Sequence, residues 1–321
     1  MMKDLKVWQF ILEKFEQQKA VIFLCVMESS GSSPGRQGFK MAVSDDEMCG
    51  SVGGGIMEHK FVELAKEMLQ KQSEQSLLKK QIHSKQSPID QSGMICSGEQ
   101  TLVVYPIKSG DIEAIQKIEN AILNNSSAGF EFTSRGIFFI SNAIFSQKYS
   151  FKKKSETDWQ YSEKLGFAYH LHIIGGGHVS LALSKLMNDL NFYITVYDDR
   201  KELNTWQQNE FAHQKKLIEY ENIQALIPEN DNQFVVIMTF GYRSDGLVLR
   251  QFIKQKYKYL GLLGSKTKVE KMLNELRNEG IEECKIKALH APIGIQIKSQ
   301  TPEEIAVSIA AEIILVKNAN S

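Results

Sequence analysis

The sequence predicts an α/β protein in which a C-terminal Rossmann-type parallel-sheet domain is preceded by a smaller α+β domain. Short apolar strands alternate with helical stretches from Tyr169 onward, a pattern typical of a parallel sheet with helices on both faces. The first strand-to-helix turn of this region carries Gly175 and Gly177, as a dinucleotide-binding fingerprint does. The first half of the chain lacks this alternation and contains two other glycine loops.

The size and composition of the chain are those of a globular protein with two domains. It has 321 residues, of which 42% are apolar, enough for a well-packed core. Lys+Arg and Asp+Glu each number 38, so charge gives no reason to expect nucleic acid or an anionic membrane as a partner. We expect an N-terminal domain over residues 1–109, a connecting segment over 110–166 and the Rossmann-type domain over 167–321.

The cysteine spacing and the start of the chain indicate a cytoplasmic protein with reduced thiols. None of the four cysteines lies in a C-x-x-C pair, which is the spacing of zinc ribbons and thioredoxin motifs. Residues 1–6 lack the apolar stretch of a signal peptide, and no apolar run is long enough to span a bilayer. We therefore expect no membrane partner.

The N-terminal domain is predicted to begin with a helix and a buried strand. Apolar residues in Leu5–Gln18 recur at helical spacing, and Ala20–Met27 is a continuous apolar run. Glycine and proline punctuate residues 29–38, which predicts a loop. Short strands are expected at Lys40–Val43 and Met48–Ser51.

Two glycine-rich loops of this domain are candidates for binding an anion. Gly31–Gly38 carries one cation, Arg36, whose planar charged fork suits phosphate or carboxylate. The second loop, Gly53, Gly54 and Gly55, precedes a helix predicted at Ile56–Gln70, so its free N–H groups would form an anion nest. Tight turns with a solvent-facing arginine are the alternative.

The segment that follows is polar. Residues 71–99 give no clear pattern, and a strand is predicted at Thr101–Ile107. In the Lys-, Ser- and Asn-rich connecting segment we expect a helix at Asp111–Leu123, a hairpin at Phe130–Ile140 and a linker at Lys152–Lys164.

The Rossmann-type domain is predicted from four short apolar strands and the helices between them. The strands are His170–Ile174, Tyr193–Tyr197, Phe234–Thr239 and Tyr259–Leu263. A last helix, Pro302–Lys317, begins with a capping box.

The glycine fingerprint indicates a phosphate site. Gly175 permits a tight turn, and Gly177 lacks the Cβ that would block a phosphate from the N–H groups at the helix start. Asp198 ends the second strand and is expected to hydrogen-bond a ribose. His178 either faces the ligand or caps and packs. A Rossmann-type domain without a nucleotide is the alternative for the whole loop.

Another strand-to-helix turn lies at Gly264, Ser265 and Lys266. Ligands of doubly wound sheets bind at this edge, where Lys266 would contact a phosphate. Ser265 is a candidate ligand contact, and plain capping of the helix is the alternative. His290 lies on a later loop, where a structural role is at least as well supported.

A series of motifs in both halves, together with Cys96, carries a resemblance to a known family. The motifs are residues 31–34 with Gly38, 50–55 with Glu58, 96–98, 175–179, 198–200, 261–266, 290–294 and 301–312. The chain resembles the XdhC/CoxI family, the xanthine dehydrogenase accessory factors. Order and spacing make the match specific, and it covers nearly everything outside residues 110–165.

The resemblance implies a family-specific N-terminal domain followed by a Rossmann-type domain. It implies binding of the molybdenum cofactor (molybdopterin), support of its sulfuration, and delivery to an apo molybdenum hydroxylase such as xanthine dehydrogenase. It also implies a homodimer, with a cysteine desulfurase as a further candidate partner. NAD(P) is the second cofactor candidate.

The chain departs from the family pattern at three places. Ile56 follows the triple glycine where the family often has cysteine, and Cys96-Ser97-Gly98 replaces Cys-Gly-Gly. Phe240 and Tyr242 stand where histidines are frequent, while Asp245 is retained. Cys96 lies on a small-residue loop, where its thiolate suits a soft metal such as molybdenum, and a small buried hydrophobe is the alternative.

Three functions are weighed: a cofactor chaperone, an NAD(P)-dependent oxidoreductase, and a nucleotide-binding scaffold for the hydroxylase. The N-terminal glycine loops have no place in a simple dehydrogenase, which favours the chaperone. No catalytic residue and no metal ligand is assigned. We expect one ligand site between the domains, lined on one side by Arg36, Gly53–Gly55 and Cys96. Gly175–His178 and Gly264–Lys266 would line the other side.

Overall fold

A computed structural model of the chain describes residues 2–83, 98–142 and 147–319. The chain divides into two units, Met1–Gly166 and Phe167–Ser321, and each is described by itself. Within the described ranges, no helix has the length and the apolar character needed to cross a membrane.

The first unit contains three helices and nine strands among its described residues. In chain order they are α1 (Met2–Glu16), β1 (Ile22–Gly31), β2 (Lys40–Val43), β3 (Met48–Gly50), α2 (Gly55–Gln70), β4 (Leu77–His83), β5 (Gly98–Pro106), α3 (Ile112–Leu123), β6 (Ala128–Thr133), β7 (Gly136–Ser141), β8 (Tyr149–Lys153) and β9 (Trp159–Lys164). The helices and strands predicted up to residue 123 are confirmed, with ends shifted by a few residues.

An antiparallel sheet of order β3-β2-β1-β5-β4 forms the centre of this unit. Its central strand β1 is apolar on both sides because both faces of the sheet are covered. Phe23 and Cys25 pack with α1 and α3, whereas Ile22 and Leu24 pack with α2. Strand β4 was not predicted, since its Lys-rich sequence suits the edge strand that it forms.

The expected linker at Lys152–Lys164 is wrong. Strands β8 and β9 occupy that segment and join the predicted hairpin in an antiparallel sheet of order β7-β6-β9-β8. Buried aromatic residues on these strands pack with α1 and β1, namely Phe130, Phe132, Trp159 and Tyr161. Residues 110–166 therefore fold as part of the first unit.

A buried ion pair connects the two sheets. The ammonium of Lys40 donates hydrogen bonds to Glu163, at 2.9 Å, and to the Gly38 carbonyl, at 2.8 Å. Asp4 of α1 lies 3.5 Å from the same ammonium. Burial opposes the charge on Lys40, but the two carboxylates outweigh it and raise its pKa. Lys40 thus stays charged and ties the three elements together.

The second unit contains six helices and five strands among its described residues. They are β10 (Tyr169–Ile174), α4 (His178–Asp189), β11 (Phe192–Asp198), α5 (Asn204–Gln208), β12 (Gln214–Leu217), β13 (Asn230–Ile237), α6 (Tyr242–Phe252), β14 (Tyr257–Leu262), α7 (Lys266–Asn278), α8 (Glu283–Ala288) and α9 (Pro302–Asn318). All five strands run parallel, in the order β12-β11-β10-β13-β14.

This arrangement confirms the predicted Rossmann-type fold. Leu171 and Ile173 of β10 face α4 and α9, whereas Ile174 faces α6 and α7. Helices on both faces explain why the strands are short continuous apolar runs. The order reverses between β10 and β13, and in doubly wound sheets this reversal places the ligand crevice at the carboxyl ends of those strands.

Candidate functional site

The carboxyl edge of the parallel sheet collects the loops in which the sequence predicts a ligand site. The loops that follow β10, β11, β13 and β14 carry Gly175–Gly177, Asp198–Arg200, Thr239–Gly241 and Leu263–Ser265 respectively. All four lie at one edge because parallel strands end on the same side. The geometry of each loop decides what it is able to bind.

Gly175 is required by the packing of the protein itself. Its φ of +117° lies in a region that side chains rarely adopt, and an added Cβ would lie 2.2 Å from the Met238 carbonyl oxygen. Its N–H donates to the Tyr197 carbonyl at 2.7 Å. The first glycine therefore fits the loop tightly between β11 and β13 at the point where the strand order reverses.

The start of α4 is accessible. Gly177 is its N-cap, no side chain caps the first turn, and an added Cβ on Gly177 would meet nothing within 4 Å. His178 is exposed at the first helical position. The first N–H groups of a helix have no partner within it, so they can receive an anion here. Ser180, the third fingerprint position, is fully buried against the rest of the unit.

The Asp198 carboxylate is fully hydrogen-bonded within the protein. Its Oδ2 accepts from the Gly176 N–H at 2.6 Å and from Arg200 at 3.0 Å, and its Oδ1 accepts from the Arg200 backbone and side chain. Burial opposes its ionisation, but the hydrogen bonds from Arg200 and Gly176 outweigh burial and lower its pKa. Four donors occupy the acceptor capacity of a carboxylate, so a ribose would have to displace one of them.

The start of α7 is capped. Ser265 is the N-cap and accepts from the Lys268 N–H, which is the capping alternative. Lys266 is exposed at the first helical position, next to the half-buried Gly264. The exposed side chain of Lys266 is therefore accessible to an anion at this edge of the sheet.

An ion pair that the sequence did not single out lies under the loop after β13. Asp245 is fully buried, accepts from the Thr239 N–H at 2.9 Å and hydroxyl at 2.6 Å, and pairs with Lys268. It fixes the Thr239–Gly241 loop to the starts of α6 and α7. The retained Asp245 was noted in the sequence, but its partner Lys268 had no recognisable signal.

His290 belongs to a structural network. Its Nδ1 lies 3.3 Å from Glu312 of α9, and its ring stacks on Tyr259 at 4.4 Å between centroids. Glu312 also accepts from the Gly294 N–H at 2.9 Å and from the Tyr259 hydroxyl. These contacts hold the 290–294 loop onto α9, as the structural alternative predicted.

In the first unit the two N-terminal glycine loops pack against each other. An added Cβ on Gly35 would lie 2.2 Å from the Val52 carbonyl oxygen, and one on Gly53 would lie 2.5 Å from the Gly35 nitrogen. Gln100 of β5 accepts from the Ser33 hydroxyl at 2.8 Å and the Gly35 N–H at 3.1 Å. The glycines permit this close approach of backbone to backbone.

The predicted anion nest at Gly53–Gly55 is filled by Glu58 of α2. Its carboxylate accepts from the N–H groups of Val52 and Gly54, each at 2.9 Å, and from the Ser51 hydroxyl. Burial opposes the charge on Glu58, but these hydrogen bonds outweigh burial and lower its pKa. The nest thus binds a carboxylate of the chain itself.

Arg36 is the other predicted residue of this unit that the structure describes. Arg36 is exposed and donates to the Gly31 carbonyl at 2.9 Å, which leaves most of its fork directed to solvent. Cys96 lies outside the described residues. Cys25 is buried in β1, and burial raises the pKa of its thiol to about 12.

Two protein-family models match the chain, one in each half. The family model described as the XdhC Rossmann domain matches residues 171–313, and the one described as the XdhC and CoxI family matches residues 15–79. The chain belongs to the XdhC and CoxI family. The resemblance inferred from the order of the motifs is thereby confirmed.

Two curated relatives of this XdhC-family chain are similar over part of their length. "Uncharacterized protein YqeB" of Escherichia coli (strain K12) is 37% identical over 156 residues, 48% of this chain and 28% of that protein. A protein of Bacillus subtilis (strain 168), described as a probable subunit of xanthine dehydrogenase, is 28% identical over 144 residues, 45% of this chain and 42% of that protein. The matches thus span less than half of either relative.

A solved structure shares the fold of the XdhC-family chain. A crystal structure described as a xanthine dehydrogenase from Bacillus halodurans superposes with a TM-score of 0.73 at 20% identity. The superposition covers 98% of this chain and 96% of that one. At this identity the likeness concerns the fold.

Proposed function

We propose that this protein is an accessory factor that binds the molybdenum cofactor, supports its sulfuration and delivers it to a molybdenum hydroxylase such as xanthine dehydrogenase. Membership of the XdhC and CoxI family supports the proposal, as does the relative described as a probable subunit of xanthine dehydrogenase. In this proposal the protein is a cytoplasmic homodimer that acts as a chaperone, and a cysteine desulfurase supplies the sulfur.

The observation that carries the proposal is the uncapped start of α4. Molybdopterin ends in a phosphate, and a helix N-terminus that follows a glycine loop is a ready phosphate site, because its backbone N–H groups point at the anion. Gly177 leaves the space in front of this turn free, and a larger side chain there would fill it. The loop therefore fits the phosphate end of the cofactor, with Lys266 as a candidate counter-charge at the same edge.

The sulfur end of the cofactor requires a different surface. Cys25 does not suit it, because a thiol with a pKa of about 12 stays protonated at neutral pH and the strand buries it. Cys96 remains the candidate thiolate of the proposal. When bound, the cofactor supplies the redox chemistry that its client hydroxylase uses. The role of this chain is to hold it and shield it from water.

The hydrogen bonds of Asp198 argue against the oxidoreductase alternative. A dinucleotide site uses the acid that ends the second strand to hold a ribose hydroxyl. Here that carboxylate already accepts from Gly176 and Arg200 and is fully buried. The same argument weakens the scaffold alternative, because a nucleotide bound there would present its ribose to the same occupied carboxylate.

The proposal is tested by purifying the protein from cells supplied with molybdate. Molybdenum is measured by elemental mass spectrometry and the pterin by its oxidised fluorescent derivative. We expect both to accompany the wild type in equal amounts, and Cys96→Ser to retain less of both, because the dithiolene of the pterin holds the molybdenum. Protein free of pterin in cells that make the cofactor would contradict the proposal.

A further inference from the structure

Phe240 is exposed in a way that the fold does not require. It lies in the loop between β13 and α6 and exposes 88% of its surface, more than any other large apolar side chain in the described ranges. An aromatic ring contributes most to folding when buried, so full exposure at the sheet's ligand edge indicates another role. Its backbone is held in place, because the flanking Thr239 is bonded to Asp245.

A cation lies over this ring. The guanidinium carbon of Arg200 is 5.1 Å from the centroid of Phe240. Arg200 is itself fixed by two side-chain hydrogen bonds to Asp198, and Asp198 in turn accepts from the Gly176 N–H. A chain of contacts thus connects the ring to the middle of the glycine fingerprint.

The strand order explains where this pair lies. Arg200 follows β11 and Phe240 follows β13, and β10 runs between those two strands. The Arg200–Phe240 pair therefore crosses the carboxyl end of β10, where Gly175–Gly177 lead into the uncapped α4. A stacking surface and an anion site lie on neighbouring loops of a single unit.

From this juxtaposition we infer that Phe240, backed by Arg200, is the platform on which the ring of a phosphorylated bicyclic heterocycle stacks, while its phosphate lies at the start of α4. Purine and pterin share this chemistry, since each has a flat π face and a phosphate on a short linker. The inference rests on the proposed function and adds a ring-binding residue that the glycine fingerprint does not contain.

The test compares ligands with and without a ring on the full-length protein. ADP, a 6-hydroxymethylpterin phosphate and inorganic pyrophosphate are titrated by calorimetry into the wild type, Phe240→Ala and Phe240→Trp. Loss of a stacking partner weakens binding about tenfold, so Phe240→Ala should lose about that much affinity for the ring ligand. Its affinity for pyrophosphate should not change, and Phe240→Trp should restore the ring ligand. The ligand whose affinity falls in Phe240→Ala, ADP or the pterin phosphate, shows whether the bound ring is a purine or a pterin.

Leu247→Ala is the matched control, because Leu247 is an exposed apolar residue further along α6. Ring ligands that bind Phe240→Ala and the wild type equally would overturn the inference and leave the phosphate site of the proposed function standing. If pyrophosphate and both ring ligands fail to bind the wild type, the phosphate site and this inference both fall.

Discussion

The two glycine loops that lead into helices α2 and α4 have similar sequences and opposite structures. In the first unit, Glu58 accepts from the N–H groups of Val52 and Gly54 and closes the nest. In the second unit, the only N–H of the glycine loop that donates to Asp198 is that of Gly176, and the helix that begins at His178 has no side-chain cap. An acidic side chain thus fills the donors of the first loop, whereas the acid beside the second loop leaves the start of its helix available.

The difference arises from where the acid lies in the chain. Glu58 is on the helix that the nest precedes, so its side chain folds back onto the loop before it. Asp198 comes from the neighbouring strand β11 and reaches only the middle of the fingerprint. A glycine pattern therefore predicts donor geometry, and the position of the nearest acid decides whether those donors are free.

The largest expected effect separates the two glycines of the fingerprint. Gly175→Ala places a Cβ 2.2 Å from the Met238 carbonyl oxygen at a φ of +117°, so it should destabilise the second unit by about 3 kcal/mol. Gly177→Ala, with free space around the Cβ, should cost about 1 kcal/mol or less as a poorer N-cap. Urea unfolding followed by hydrogen exchange in each unit measures both. Equal stability of the two variants would show that the loop is not packed as described.

As the pH falls, the second unit should begin to lose stability at a higher pH than the first. His172 is buried and hydrogen-bonded to Tyr197 and Gln233, and burial lowers its pKa to about 4. Its contribution, about 3 kcal/mol, is complete above the unfolded pKa of about 6.5 and is lost as the pH falls toward 4. The contribution of Glu58, whose pKa is lowered, is lost only below its unfolded value of about 4.3.

Hydrogen exchange in each unit between pH 7 and 5 checks this order. The amides of the second unit should lose protection first, and His172→Gln should remove much of that pH dependence. A first unit that loosens at a higher pH than the second would contradict the prediction.

Removing Glu58 should convert the closed nest into an open one. Glu58→Ala leaves the Val52 and Gly54 N–H groups to water and should cost about 1 kcal/mol. Sulfate should then stabilise the variant more than the wild type, because the freed nest binds the anion. Thermal unfolding at increasing sulfate, with chloride at matched ionic strength as the control, measures this. The idea fails if the variant and the wild type respond alike.

The smallest stability effect is expected at Arg36. Its side chain is exposed and makes one hydrogen bond to Gly31, so Arg36→Ala should change stability by less than about 0.5 kcal/mol. Cofactor retention should nevertheless fall if its free fork neutralises a phosphate. Equal cofactor retention by Arg36→Ala and the wild type would show that Arg36 only stabilises the turn. Whether the loops of both units contact one ligand stays a prediction.

Periodicity and glycine position were sufficient to predict most of the fold. The apolar run of β1 predicted a buried strand, because it is covered on both faces. Strands β8 and β9 were missed, since each has only five or six residues and a weak apolar pattern. No residue of β8 is buried, and the buried residues of β9 include the polar Ser162 and Glu163. Such short segments become strands through pairing with a distant hairpin, which local sequence does not record.

The sequence predicted the backbone turns of the candidate site better than the contacts of its side chains. The fingerprint located the turn at Gly175 and Gly177, and the backbone conformation of Gly175 requires glycine. It did not reveal that Asp198 is occupied by Arg200, because that depends on a rotamer and on the Gly176 N–H. Phe240 was noticed only as a departure from the family, and its exposure needed the structure.

The central claim is that the accessible start of α4 holds the phosphate of a pterin cofactor. Its most direct test is the amount of pterin and molybdenum that accompanies Gly177→Val purified from molybdate-supplied cells. Gly110→Val is the matched control, since its Cβ also meets nothing within 4 Å and it lies in the first unit. The account predicts that Gly177→Val loses nearly all pterin while hydrogen-exchange protection in the second unit falls by about 1 kcal/mol or less, and that Gly110→Val keeps the wild-type amount. Undiminished pterin in Gly177→Val would contradict it.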